Sequence, residues 1–200
     1  MIYFIIILAI IARFIPHMPN FASITALAIF SAATLDWKKA AGLTLAARFI
    51  SDLFLGFFSW PLMLAVYASH LAGILFGVWI RTSLNPSSAR REMGPSLSFF
   101  KERQGEVIKW IKIVGSSIAA SMLFFFVTNF AFFYSEYPHN ISGIILAYMN
   151  GLPFLRGTMA GDLGYTAALF GVYEIVGYIV RAKSRTNLNF GFWASSKTKI

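Results

Sequence analysis

The sequence predicts an all-α fold: a polytopic membrane protein, a bundle of six transmembrane helices with both termini in the cytoplasm. Three observations predict it. Of 200 residues, 58% are hydrophobic and only 12% are charged, against about 25% charged in an ordinary globular domain. So little charge cannot cover a water-facing surface. Mean hydropathy is +0.67, and the apolar residues gather into long runs divided by short polar stretches. The basic residues, in turn, fall between alternate runs.

A helix needs about 20 apolar residues to cross a hydrocarbon core about 30 Å thick. Ile2–Ile15 is a dense aliphatic run closed by Pro16. A signal peptide carries its basic residues ahead of the apolar core and a small-residue cleavage site behind it. Here Arg13 lies behind the core and a proline follows, so the run reads as a retained first span. Phe21–Leu35 follows the turn His17-Met18-Pro19-Asn20 as the second. Ala40–Phe58 is the third, stopped by Trp60-Pro61, and Leu62–Ile80 is the fourth. Ile111–Tyr134 is the fifth and Asp162–Val180 the sixth. The first two are short for spans, which requires partly buried ends. A seventh span at Ile141–Leu155 has too few apolar residues before Pro153.

Orientation follows from lysine and arginine, which favour the cytoplasmic side. Lys38 and Lys39 lie between spans two and three. Arg81, Arg90, Arg91, Lys101, Arg103, Lys109 and Lys112 lie between spans four and five. Arg181, Lys183, Arg185, Lys197 and Lys199 form the tail. Six spans place all of these on one side and leave only Arg13, Arg48 and Arg156 of the 17 basic residues elsewhere. The expected organisation is a transmembrane domain over residues 1–180 with a solvated cytoplasmic linker at about 81–110. An outer interfacial segment at about 141–161 is broken by Gly143, Gly151, Pro153 and Gly157, and a basic tail covers 181–200. The expected location is a cell membrane, crossed several times. The formal charge of +9 follows from this sidedness and from contact with anionic lipid headgroups; it does not indicate nucleic acid.

Polar groups in lipid are costly and mark cavities or pairs. Arg48 and Asp52 lie four apart on one helical face, as an ion pair that makes the third span tolerable or as part of a pocket. Tyr67 and His70 share a face of span four, Thr128 and Asn129 lie in the outer third of span five, and Asp162 opens span six. Pro16 and Pro19 fix a rigid turn that presents His17 and Asn20 beside Arg13. With this orientation Arg13, His17, Asn20, Asp52, Tyr67, Asn129, Tyr137, Asn150, Arg156 and Asp162 all fall toward the outside. A one-sided cluster suits a binding pocket open to the exterior better than a continuous ion path.

Catalytic signatures are missing: there is no HExxH, GxSxG, Walker or Rossmann glycine pattern. His17, His70 and His139 lack metal-ligand spacing, and cysteine is absent, which removes disulfides, thiolate metal sites and cysteine nucleophiles. No cofactor or metal is expected. An intramembrane enzyme acting on a lipid or isoprenoid, with His17 as base, is the alternative reading, and a scaffold subunit of a membrane complex is a third. Ala22/Ala26, Ala28/Ala32 and Gly73/Gly77 are small residues four apart, which let helices approach closely, chiefly within the bundle.

Several ordered motifs carry a family resemblance. They are Arg13-x2-Pro16-His17-x-Pro19-Asn20-Phe21, Ala26-Leu27-Ala28-x-Phe30, Ser51-Asp52-x3-Gly56, Phe126-x-Thr128-Asn129-Phe130, Tyr137-Pro138, Pro153-Phe154, Gly161-Asp162 and Leu169-Phe170-Gly171. The chain resembles an uncharacterised family of small bacterial membrane proteins with the pattern R-x2-PHPPNF, ALALF, SD-x3-G, F-x2-TNF, whose only ascribed role is transport. Met18 stands where that family has proline, and Arg156-Gly157 where it tends to have Asn-Thr. The family is similar to the substrate-binding S components of energy-coupling factor (ECF) transporters. That resemblance implies six helices, an outward pocket capped by loops and a vitamin- or metabolite-sized substrate. It also implies a separate transmembrane coupling subunit and ATPases as partners. The expected function is capture of a small solute for uptake, with Arg13, His17, Asn20, Asp52, Tyr67, Asn129, Asn150 and Asp162 as substrate-binding residues. Arg13 would pair with Asp52 or Asp162 when no substrate is bound.

Overall fold

The computed structural model describes residues 2–12, 23–57, 59–83 and 95–196, with the side chains of 95–104 and 181–196 left aside. Among the described residues the chain is all-helical, without strands. Its helices are α1 (Ile2–Ala12), α2 (Ile24–Thr34), α3 (Trp37–Leu55), α4 (Trp60–Ser83), α5 (Pro95–Glu136) and α6 (Ile141–Ser196). Two prolines sit where their missing N–H costs nothing: Pro95 opens α5 and Pro61 is second in α4, both within first turns. Asp36 caps α3, its side chain accepting from Lys38 N–H at 3.1 Å. Gly56 ends the same helix at φ +98°, a conformation that side chains with a Cβ rarely adopt. Asn140 starts α6 by accepting from Gly143 N–H at 2.8 Å, as an N-cap does.

α2 is the axis of the bundle. Every residue from Ile24 to Ala32 is buried, and α2 packs against all five other helices. Around it α3, α4, α5, α6 and α1 follow one another as neighbours, α4 making the most extensive contact with it. That contact is close because both helices present small residues. A β-carbon on Gly73 would meet Ala28 Cβ at 3.4 Å, and one on Gly77 would overlap the Ile29 carbonyl and Ala32. The paired glycines of α4 and the paired alanines of α2 therefore find each other. Phe30 closes the core on the far side, edge-on to Phe170 at 5.2 Å and Tyr173 at 5.8 Å.

The outward faces are apolar instead: Leu53, Phe54, Leu64, Leu75, Ile111, Phe130 and Ile145 are all more than half exposed. Buried among the helices are serines, threonines, His70, Asp52 and Asp162. Apolar outside and hydroxyl-rich inside is the arrangement that lipid selects. Three helices are long and apolar enough to cross a membrane, over Trp60–Thr82, Gly105–Glu136 and Ile141–Val180.

The structure departs from the sequence expectation in three ways. Six helices occur in the expected order, but α2 has 11 residues and α3 carries Lys38, Lys39, Arg48 and Asp52 in its 19; among the described residues three helices meet the length and apolarity of a span. Residues 141–161, expected as a broken interfacial segment, are continuous with the sixth helix through Pro153. A proline costs one hydrogen bond, whereas irregular backbone in an apolar setting leaves several groups unpaired; the glycines serve packing, Gly151 lying directly against the Asn129 carboxamide. Finally, residues 95–110 and 181–196, expected as linker and tail, extend α5 and α6 as helix.

Candidate functional site

The chain runs up and down, so its polar groups sort by bundle end. One end carries the α2–α3 turn: Arg81 donates to the Leu35 carbonyl, Lys109 pairs with Glu174, and Lys112 lies 5.4 Å over the Trp79 ring. The other end carries the α3–α4 and α5–α6 turns. There Leu62 and Val66 of α4 pack with Ala131 of α5, and Asn150 Nδ2 donates to Tyr137 Oη at 3.1 Å.

Between these ends lie two buried carboxylates. Asp52 is held on its own helix: Arg48 Nε donates to its Oδ2 at 2.9 Å, the i, i+4 geometry of a single helical face. Tyr67 Oη, from α4, donates to the same oxygen at 3.0 Å. The Arg48 guanidinium stands 6.0 Å from the Tyr67 ring centre. Both charges are almost fully enclosed, and this grouping joins α3 to α4.

Asp162 is held by other helices. It does not open the sixth helix but lies mid-way along the Ile141–Val180 stretch, 12 residues or about 18 Å from Glu174. Ser121 of α5 donates to its Oδ2 at 2.7 Å, and Thr25 of α2 lies near the same carboxyl group. Thr25 Oγ1 lies 3.4 Å from His70 Nδ1 of α4, and the His70 ring stacks on Phe124 at 5.4 Å. Ser121 Oγ is also 3.0 Å from the Ser117 carbonyl, while Thr166 Oγ1 donates to Ser117 Oγ at 3.4 Å. Thr25, His70, Ser117, Ser121, Asp162 and Thr166 are all at least nine-tenths buried. Three helices meet at this carboxyl group and α4 joins them through the Thr25–His70 contact; no cationic side chain touches it among the described residues.

Of the eight expected binding residues, the structure joins Asp52 to Tyr67 and places Asp162 in a separate cluster with partners the sequence reading did not name. Asn129 turns its amide onto its own helix, Nδ2 donating to the Phe125 carbonyl at 2.8 Å, and packs on Gly151. Asn150 is exposed beside Tyr137. Arg13, His17 and Asn20, with the Pro16 and Pro19 turn, lie outside the described residues. What sequence reasoning missed is Thr25, Ser117, Ser121 and Thr166, and the weight of His70. A signal existed in the spacing. Ser117 and Ser121 lie four apart, as do Thr158, Asp162 and Thr166, so each set stripes one face of its helix.

The chemistry open to the two groupings differs. In an activated nucleophile a carboxylate orients an imidazole, which deprotonates a hydroxyl. Here the order is carboxylate, hydroxyl, imidazole, so Thr25 is not activated in that way. No group of three or more His, Cys, Asp and Glu side chains able to hold a metal occurs among the described residues. What the Asp162 cluster offers is one carboxyl group, several rotatable hydroxyls and a desolvated setting, which suit binding.

No curated protein and no solved structure matches the chain. Residues 1–185 match the Family of unknown function (DUF6580), and the chain belongs to that family.

Proposed function

We propose that this member of the DUF6580 family is a membrane transport protein, a substrate-binding subunit that captures a small solute of vitamin or metabolite size for uptake. The reading is carried by Asp162. An ionisable side chain at membrane depth is expensive and is retained mainly on substrate or ion pathways. This one accepts a hydroxyl hydrogen bond from α5 and lies near Thr25 of α2, which in turn contacts His70 of α4. The separation of cationic side chains to one end of the bundle and the Asn150–Tyr137 and Asp52–Tyr67 groupings toward the other supports an outward-facing site. It also supports the finer reading of six spans with both termini inside, similar to ECF S components, with a coupling subunit and ATPases as partners.

The test is thermal unfolding of the detergent-purified protein against a panel of water-soluble vitamins and their precursors. One chemical class should raise the unfolding temperature saturably, and Asp162→Asn and Ser121→Ala should abolish that rise while the basal transition persists. A rise that survives both substitutions overturns the assignment to Asp162. The scaffold reading draws on a specific observation of its own, since the Asp52 carboxylate is satisfied within the protein by Arg48 and Tyr67. It predicts no solute response at all and stable co-purification of a partner chain.

A further inference from the structure

The basic side chains at the α2–α3 end of the bundle are of two kinds. Arg81 donates to the Leu35 carbonyl, and Lys109 pairs with Glu174 and Glu106, so both are engaged within the protein. Lys38, Lys39 and Lys112 have no acidic side-chain partner among the described residues. Lys38 lies 5.7 Å from the ring centre of Trp37, its neighbour on the same helix. Lys112 differs. Its ammonium stands 5.4 Å over the ring of Trp79, so an α5 cation meets an α4 aromatic across the seam between the two helices.

That pairing sits at a recognisable depth. Trp79 is half exposed and lies close to the end of the apolar stretch Trp60–Thr82. An indole is favoured where hydrocarbon gives way to headgroups. A lysine beside it keeps its methylenes in the apolar layer and its charge at the rim. A cation held over a ring face retains its charge and its N–H donors for a further partner.

Toward the middle of the bundle the seam is apolar and open. On α4, Leu71, Leu75 and Trp79 follow four apart on one face, and all three are exposed. On α5, Lys112, Gly115 and Ala119 follow at intervals of three and four, which sets small residues on the same side as the ammonium. A β-carbon on Gly115 would meet nothing within 4 Å. Gly73 and Gly77 of α4 admit α2, whereas Gly115 admits nothing from this chain and leaves a furrow on the lipid side.

We infer that the seam between α4 and α5 holds one anionic phospholipid, its phosphate on the Lys112 ammonium beside Trp79 and an acyl chain along Leu71, Leu75 and the furrow at Gly115. Charge complementarity selects this occupant. A zwitterionic headgroup brings its own cation, which competes with the lysine for the phosphate; a headgroup of net negative charge does not. Basic sites between spans are used in this way for anionic lipid. A peptide segment fits poorly, because the furrow lies at hydrocarbon depth, where backbone polar groups need internal partners. This site depends on the bundle lying in a bilayer and not on Asp162 or on any solute.

The experiment is tryptophan fluorescence of the full chain in vesicles of phosphatidylcholine with brominated acyl chains, at one ionic strength. Bromine quenches an indole on contact, and the Trp79 share is the difference between the wild type and Trp79→Phe. Unbrominated phosphatidylglycerol should relieve that quenching at a lower mole fraction than unbrominated phosphatidylcholine does. Lys112→Gln should weaken the preference about fivefold, and Lys112→Arg should retain it. Lys39→Gln, which removes an equal charge from α3, should leave it nearly unchanged. Gly115→Leu fills the furrow with Lys112 in place and should also weaken the preference. Relief that follows mole fraction alone, or a preference that survives both Lys112→Gln and Gly115→Leu, overturns the inference. Equal losses in Lys39→Gln and Lys112→Gln overturn it too, since the diffuse field of the basic end would then suffice. Should Lys112→Gln not reconstitute, Gly115→Leu carries the test alone, and an unchanged preference there sinks the site.

Discussion

Asp52 and Asp162 are both acidic groups buried among apolar helices, and they are accommodated by opposite means. Asp52 brings its counter-charge on the same helix, one turn back at Arg48, so the pair enters the bundle already neutral. Asp162 relies on hydroxyls supplied by α2 and α5, so its environment exists only once those helices have assembled. An ion pair within one helix solves a burial problem locally. A carboxyl group ringed by neutral groups from several helices depends instead on how those helices pack.

This contrast can be broken at several points. Arg48→Leu strands a buried carboxylate and should cost about 3–5 kcal/mol, read as lowered resistance to chemical unfolding in detergent. Arg48→Met combined with Asp52→Leu should recover most of that loss and leave the solute response intact, showing that the pair is structural. Loss of that response in the double variant would return Asp52 to the binding site. Gly77→Ala forces α4 off the α2 backbone and should cost about 1–3 kcal/mol. It should weaken ligand responses through the Thr25–His70 contact while sparing the Arg48–Asp52 pair. Tyr67→Phe removes one hydrogen bond to a charged oxygen and should cost about 1.5 kcal/mol, with ligand responses unchanged. Asp162→Asn keeps the size of the side chain and an acceptor for Ser121, so it should be close to neutral in stability, the smallest effect of the set; a large loss there would make Asp162 as structural as Asp52.

Composition and charge patterning made the helical, lipid-facing class legible, and apolar runs located the helices closely where a proline or glycine truly ends them. Gly56 does end α3, by its positive φ. Gly143, Gly151 and Pro153 do not end α6. A glycine at which a neighbouring helix must approach reads the same in sequence as one that turns the chain, and only the position of Asn129 separates the two. The Arg48–Asp52 pair was visible because its partners are one turn apart. The Asp162 cluster was half visible. Its carboxylate stands out in any apolar run, but Thr25, Ser117, Ser121 and Thr166 are common residues whose meeting depends on how α2, α5 and α6 pack. Asn129, conspicuous as an amide in lipid, proved to be engaged with its own helix and with Gly151.

The burial of α2 bears on how the chain reaches its final state. Eleven residues rise about 16 Å, roughly half the hydrocarbon thickness, and from Ile24 to Ala32 none presents a side chain to lipid. This segment leaves the ribosome before α4, α5 and α6 exist, so it has no stable lodging of its own when it is made. It must wait at the interface until later segments close around it: synthesised second, seated last. A chain truncated before α5 is therefore expected to be cleared by quality-control proteases, even though four of its helices are already written.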